Sequence, residues 1–100
     1  MTTDLQAFAG EDFCYLTTTG RVSGRAHTIE IWYALHGSTV YMLSGGGDRA
    51  DWVKNAAANP QVTVKIRGQV FAGTARRVAD AAEEALARRL VGDKYQRSPA

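Results

Sequence analysis

The sequence predicts a mainly β, α+β domain: antiparallel strands curled into a small barrel with two helices, in the order β-β-β-α-β-β-α. Three observations carry this. Apolar and polar residues alternate over short stretches, most clearly over residues 26–36 and 61–67. Glycine-bearing turns separate these stretches, so neighbouring strands join as antiparallel hairpins. Only the segments after Asp48 and after Asp80 carry the wider apolar spacing of a helix. Hairpin-linked strands leave bare edges, and closing the sheet hides them.

The first strand spans residues 13–19, where aromatic and threonine residues suit a pleated surface. Residues 20–25 turn the chain. In the second strand, 26–36, Ile29, Ile31, Tyr33 and Leu35 share one face, and Thr28, Glu30, Trp32 and Ala34 the other. His36-Gly37-Ser38 makes a hairpin turn into the third strand, Thr39 to Leu43, which Gly45-Gly46-Gly47 ends. Asp48 is the expected N-cap of the first helix, which carries Trp52 and runs to about Ala58 before Asn59-Pro60 stops it. Residues 61–67 form a strand, Gly68 a turn, and Gln69 to Val78 the last strand. Asp80 can cap the second helix, with Ala82, Leu86 and Leu90 on one face and Glu84 and Arg88 paired one turn apart. So few strands make a thin barrel, and the end "YQRSPA" directly after a helix suggests that a completing C-terminal strand is missing.

The 100 residues suit a single domain over 1–100, with 45% hydrophobic and 22% charged residues. A net charge of +2 is too small to imply a nucleic-acid partner. One cysteine, Cys14, forms no internal disulfide, no apolar run is long enough for a membrane span, and the start lacks a signal peptide's pattern. A cytoplasmic protein is expected. His27, His36 and Cys14 lack metal-ligand spacing, so no metal is expected.

Two segments are rich in anion-binding chemistry. In Gly20-Arg21-Val22-Ser23-Gly24-Arg25, glycines permit a tight turn, the arginines fork onto phosphate or carboxylate, and Ser23 adds a hydroxyl. The alternative is a solvated hairpin. In Ser44-Gly45-Gly46-Gly47-Asp48, glycines ahead of a helix make an anion site or a flat shelf for a ring; the alternative is a plain connector. His27 at the mouth of the first turn either binds or is a surface histidine. Trp32 marks an interface or ligand, or packs beneath a helix; Trp52 is core or site wall. Lys65, Arg67, Arg76 and Arg77 read as solvated strand faces.

"LTTTGRVSGR", an aromatic-ended strand, "VYMLSGGG" and the Trp-bearing "DWVKNAAANPQVTV" follow one another over about residues 13–78. In that order and spacing the chain resembles the deazaflavin-dependent nitroreductase family of the flavin-reductase-like (pyridoxamine-phosphate-oxidase-like) split-barrel superfamily. The resemblance implies a split β-barrel that binds coenzyme F-420. The reduced cofactor gives a hydride to an electron-poor small molecule, a quinone, enone or nitroaromatic-like compound. Arg21, Val22, Ser23, Gly24 and Arg25 match the phosphate-holding segment, with His27 near the cofactor. Ser44, Gly45 and Gly46 match the segment beside the ring and tail, and Trp52 an aromatic flanking the site. Trp32 and Glu30 fall on substrate-facing positions.

Departures from the family pattern accompany these matches. Val22 replaces a common lysine, Gly45 a frequent basic residue, Glu30 a common proline and Trp32 a tyrosine. An indole cannot act as a phenol does, which leaves Ser44 and Tyr95 as the proton-donating candidates. The alternatives are an FMN-binding oxidoreductase of the same superfamily, or a flavin- or deazaflavin-binding module without turnover. A homodimer is expected, since a partner would cover Trp32 and an unpaired edge.

Overall fold

The computed structural model describes residues 5–45 and 47–96. The strands are β1 (Cys14–Thr19), β2 (Ala26–Ile31), β3 (Ala34–His36), β4 (Thr39–Tyr41), β5 (Gln61–Ile66) and β6 (Gln69–Thr74). The helices are α1 (Asp51–Ala58), between β4 and β5, and α2 (Ala81–Gln96), after β6. The ladder is split. One sheet runs β2-β1-β5-β6, all antiparallel, and β3-β4 stands apart as a hairpin. This is an open split barrel with two helices.

The predicted second strand breaks in two at Trp32-Tyr33, and the order β-β-β-α-β-β-α holds once β2 and β3 count as its halves. The break has a local cause. The Tyr33 amide donates to Tyr95 Oη at 3.0 Å, and the Tyr33 carbonyl accepts from Lys94 Nζ at 3.0 Å. Side chains from α2 thus hold the backbone where a ladder would have continued. Tyr33 and Ala34 are consequently both buried, against the predicted alternation.

Period-two burial along β1 sets the core. Cys14, Leu16 and Thr18 point inward; Cys14 and Leu16 pack with Val64 and Ile66 of β5 and with Tyr33, and Ile29, Ile31, Val62, Phe71 and Trp52 surround that cluster. Burial pushes the Cys14 thiol up to about 11, so it packs as a small apolar group. Other boundaries shift. A short 3-10 turn covers Gly47–Arg49, and α1 begins at Asp51 with Ala50, not Asp48, in the cap position. The last strand ends at Thr74 rather than Val78: Ala75 N–H still donates to the Pro60 carbonyl one rung on, but proline has no N–H to return the bond. Asp80 does cap α2, its carboxylate accepting from Glu83 N–H at 2.9 Å, and Glu84 pairs with Arg88 at 3.1 Å. Ala82 is exposed; the buried positions of α2 are Ala87 and Val91, with Leu86 and Leu90 half-buried beside them.

Candidate functional site

The site grows from the β1–β2 turn. Thr19 faces Ala26 at the end of the ladder, so residues 20–25 must reverse the chain. Gly20 N–H donates to the Arg25 carbonyl at 2.8 Å, and Gly24 N–H to the Gly20 carbonyl at 2.9 Å. A β-carbon on Gly20 would lie 2.6 Å from both His27 Nε2 and Ser23 Oγ, so any larger residue there would displace these two side chains. Gly24, with φ +71°, supplies the left-handed step. Ser23 Oγ accepts from Arg25 N–H at 3.1 Å and lies 3.4 Å from His27 Nε2.

Helix α1 fixes this turn through Asn55. Its Oδ1 accepts from Arg21 N–H at 3.1 Å and from Arg21 Nη1 at 2.7 Å. Arg21 Nη2 also reaches the exposed Asp51 carboxylate at 3.3 Å. Asn55 is only 5% exposed, the one buried residue of α1. A buried amide is costly unless bonded, and here its oxygen answers a backbone and a side-chain donor of the same residue.

Turn and helix enclose a cleft of about 440 Å³, a volume suited to a small-molecule ligand. Its walls are Thr18, Gly20, Arg21, Val22, Ser23, His27, Thr28, Ile29, Asp51, Trp52 and Asn55. Guanidinium, hydroxyl and imidazole groups lie at the turn, and an indole and an isoleucine supply apolar wall. Val22, at 93% exposure, leaves the tip open. Thr18 Oγ1 is buried and has no hydrogen-bond partner among the described residues. This donor set fits a ligand with an anionic end and a planar apolar body. No group of His, Cys, Asp and Glu capable of holding a metal occurs among the described residues.

Five of the predicted residues, Arg21, Val22, Ser23, His27 and Trp52, thus meet in one cleft. Gly24 and Arg25 complete the turn without lining it. Ser44 and Gly45 lie on the loop from β4 to α1, outside the cleft walls, and Gly46 falls outside the described residues. Ser44 Oγ is buried with no partner among the described residues.

Trp32, Tyr95 and Glu30 lie elsewhere. Trp32, 60% exposed, stacks on Tyr95 with ring centres 4.3 Å apart and an interplanar angle of 10°. Tyr95 Oη donates to the Asp12 carbonyl at 2.6 Å while accepting from Tyr33 N–H, and burial raises its pKa. Glu30 is exposed, in register with Tyr15.

Thr18 and Asn55 were not singled out from the sequence. Signals existed for both. Thr18 is in phase with Cys14 and Leu16 on the inward face. Asn55 follows Trp52 by three residues, a polar group in the apolar stripe of α1.

Comparison with known proteins places the fold in a family. Residues 2–97 match the family described as F420H(2)-dependent quinone reductase. A solved structure of an F420-H2 dependent reductase (FDR-A) superposes with a TM-score of 0.70 at 28% identity, over 85% of this chain and 77% of that one. A structure described as a domain-swapped dimer gives 0.72 at 28% identity, over 85% and 66%. A Bacteroides thetaiotaomicron protein, described as a proposed 5-nitroimidazole antibiotic resistance protein, shares the fold with a TM-score of 0.75 at 16% identity, over 99% and 70%. The chain therefore belongs to the F420H(2)-dependent quinone reductase family, oxidoreductases that use a deazaflavin cofactor of the F-420 type on small electron-poor substrates.

Proposed function

We propose that the Gly20–Arg25 turn and α1 hold the phosphate of reduced F-420, and that the electron-poor substrate is a quinone. The carrying observation is the clamp of Arg21 by Asn55 at the mouth of the cleft. It orients a guanidinium that still has N–H donors to spare, so little freedom is lost when an anion binds. Ser23 and the amides of Val22 and Ser23, which have no partner in the fold among the described residues, add donors. The Trp52 indole supplies an apolar wall beside them. The bound cofactor supplies the hydride; a quinone takes that hydride and one proton to become the quinol. Ser44, with an uncommitted hydroxyl, is the better proton-donating candidate. The Tyr95 hydroxyl already holds the backbone at both Asp12 and Tyr33. Arg25, Arg49 and Lys54 follow a polyanionic tail outside the cleft, with weak contacts that salt screens.

The active unit in this reading is a homodimer in the cytoplasm. The register lines up Glu30, Tyr15, Lys65 and Val70 across the outer face of the larger sheet, where Tyr15 and Val70 are exposed. A two-fold axis along β1 would set Glu30 against the partner's Lys65, which makes the face self-complementary. The relative described as a domain-swapped dimer supports association between copies.

The test is titration of the protein with F-420 and with FMN, followed by loss of reduced-deazaflavin absorbance when a soluble naphthoquinone is added. Tighter F-420 binding and quinone-dependent oxidation are expected. Tighter FMN binding at low salt would overturn the cofactor choice. F-420 binding without turnover on any quinone would leave a binding module.

A further inference from the structure

Thr18 is the least explained residue of the cleft. Its side chain is inward on β1 and only 2% exposed, yet Oγ1 finds no hydrogen-bond partner among the described residues. Valine has nearly the same shape without a hydroxyl to satisfy, so burial alone would favour valine here. Thr18 also lines the cleft, and the register sets it directly beside His27. His27 in turn lies against Gly20 and within 3.4 Å of Ser23 Oγ. The Thr18 hydroxyl therefore belongs to the polar group gathered at the anion turn.

We infer that the Thr18 hydroxyl is held in reserve for the ligand and donates a hydrogen bond to its phosphate-bearing end. The inference rests on the proposed function for the identity of that ligand. Its energetic signature is reciprocal: the hydroxyl weakens the free protein and strengthens the complex. A side chain satisfied within the fold would do neither.

The experiment compares the full chain with Thr18→Val and Thr18→Ser. Thermal unfolding without ligand and fluorescence titration with F-420 are measured for each, alongside the deazaflavin riboside that lacks the phosphate. Thr18→Val is expected to raise Tm by about 4 °C, as relief of a buried hydroxyl in a domain this size does. It should weaken F-420 binding about tenfold, the loss of one hydrogen bond to a charged group, and leave riboside binding unchanged. Thr18→Ser should keep F-420 affinity within about threefold of the parent, which guards against a purely steric effect. A lower Tm in Thr18→Val would mean that the hydroxyl is satisfied inside the folded protein, and would overturn the inference. So would unchanged F-420 affinity, or equal weakening of the riboside. Flat F-420 titrations already in the parent chain would instead defeat the cofactor reading.

Discussion

Replacing Asn55 with alanine tests the clamp between turn and helix. The substitution removes a neutral hydrogen bond from Arg21 N–H at 3.1 Å and a charge-assisted one from Nη1 at 2.7 Å. The first is worth about 1 kcal/mol, and the second about 1.5–3 kcal/mol where buried. Arg21 keeps a third of its side chain in solvent, so the lower end applies. The Asp51 contact survives the substitution but adds little, since that carboxylate is exposed. The expected loss is thus about 2–3 kcal/mol, or roughly 10–20 °C in Tm for a domain of this length. Stabilities of about 5–15 kcal/mol leave such a variant folded and measurable. Urea unfolding of Asn55→Ala, Arg21→Ala and the double variant isolates the side-chain bond, because Arg21→Ala leaves the backbone donor in place. A coupling energy of about 1–2 kcal/mol is expected. A loss below about 0.5 kcal/mol for Asn55→Ala, or coupling near zero, would show that the turn is held by its own internal bonds.

Asp51 places a negative charge beside Arg21 in the cleft, so Asp51→Asn should tighten F-420 binding severalfold at low salt and less at high salt; an unchanged or weaker affinity would show that Asp51 orients Arg21 for the anion. Glu83 accepts from Arg76 and from the Tyr41 hydroxyl, which pull its carboxyl from 4.5 down to about 2, Arg76 first. A depressed carboxyl stabilises the fold above its unfolded value and loses that contribution as pH falls from about 4.5 toward 2. Thermal unfolding across this range should therefore fall less steeply for Glu83→Gln than for the parent chain; parallel curves would refute the assignment. In the proposed dimer, Lys65→Glu should shift sedimentation toward monomer, and adding Glu30→Lys should restore association; dimers unaffected by either change would place the interface elsewhere.

What was legible in the sequence had a short-range physical signature. Cys14, Leu16 and Thr18 alternate as a half-buried strand must, and the glycines at 20 and 24 announce a turn. Asp80 precedes α2 at capping distance and does cap it. The misread parts depended on groups far along the chain. Nothing local distinguishes residues 26–36 from one long strand, because the break at Tyr33 is imposed by Lys94 and Tyr95. The start of α1 was misplaced because Asp48 has the preferred capping chemistry, while the helix begins behind Ala50 with no side-chain cap. Asn55 was overlooked because a polar residue on a helix is ordinarily solvated; its burial makes sense only once Arg21 is placed opposite.

The β1–β2 ladder also separates two tasks. At one end Thr18 faces His27, beside the turn and the cleft; at the other Cys14 faces Ile31, next to Trp32 and Tyr33. Cys14 and Thr18 are four residue steps apart along β1, roughly 13 Å at strand rise. At the far end Tyr33 is fully buried and its hydroxyl donates to the Phe8 carbonyl, while α2 grips its backbone. Lys94 sits 3.6 Å from the centre of the Tyr33 ring, and burial lowers its pKa without removing its bond to the Tyr33 carbonyl. N-terminal segment, split strand and C-terminal helix thus converge on one residue. Tyr95 and Trp32 belong to that anchoring end. For either to touch a ligand whose phosphate rests on the turn, the ligand must span the ladder, or a second copy must bring its own cleft to the exposed face of the indole. The same separation means that changes at Asn55 and at Tyr95 should act on stability independently, since among the described residues the hydrogen-bond partners of their side chains, Arg21 for one and Asp12 and Tyr33 for the other, do not overlap.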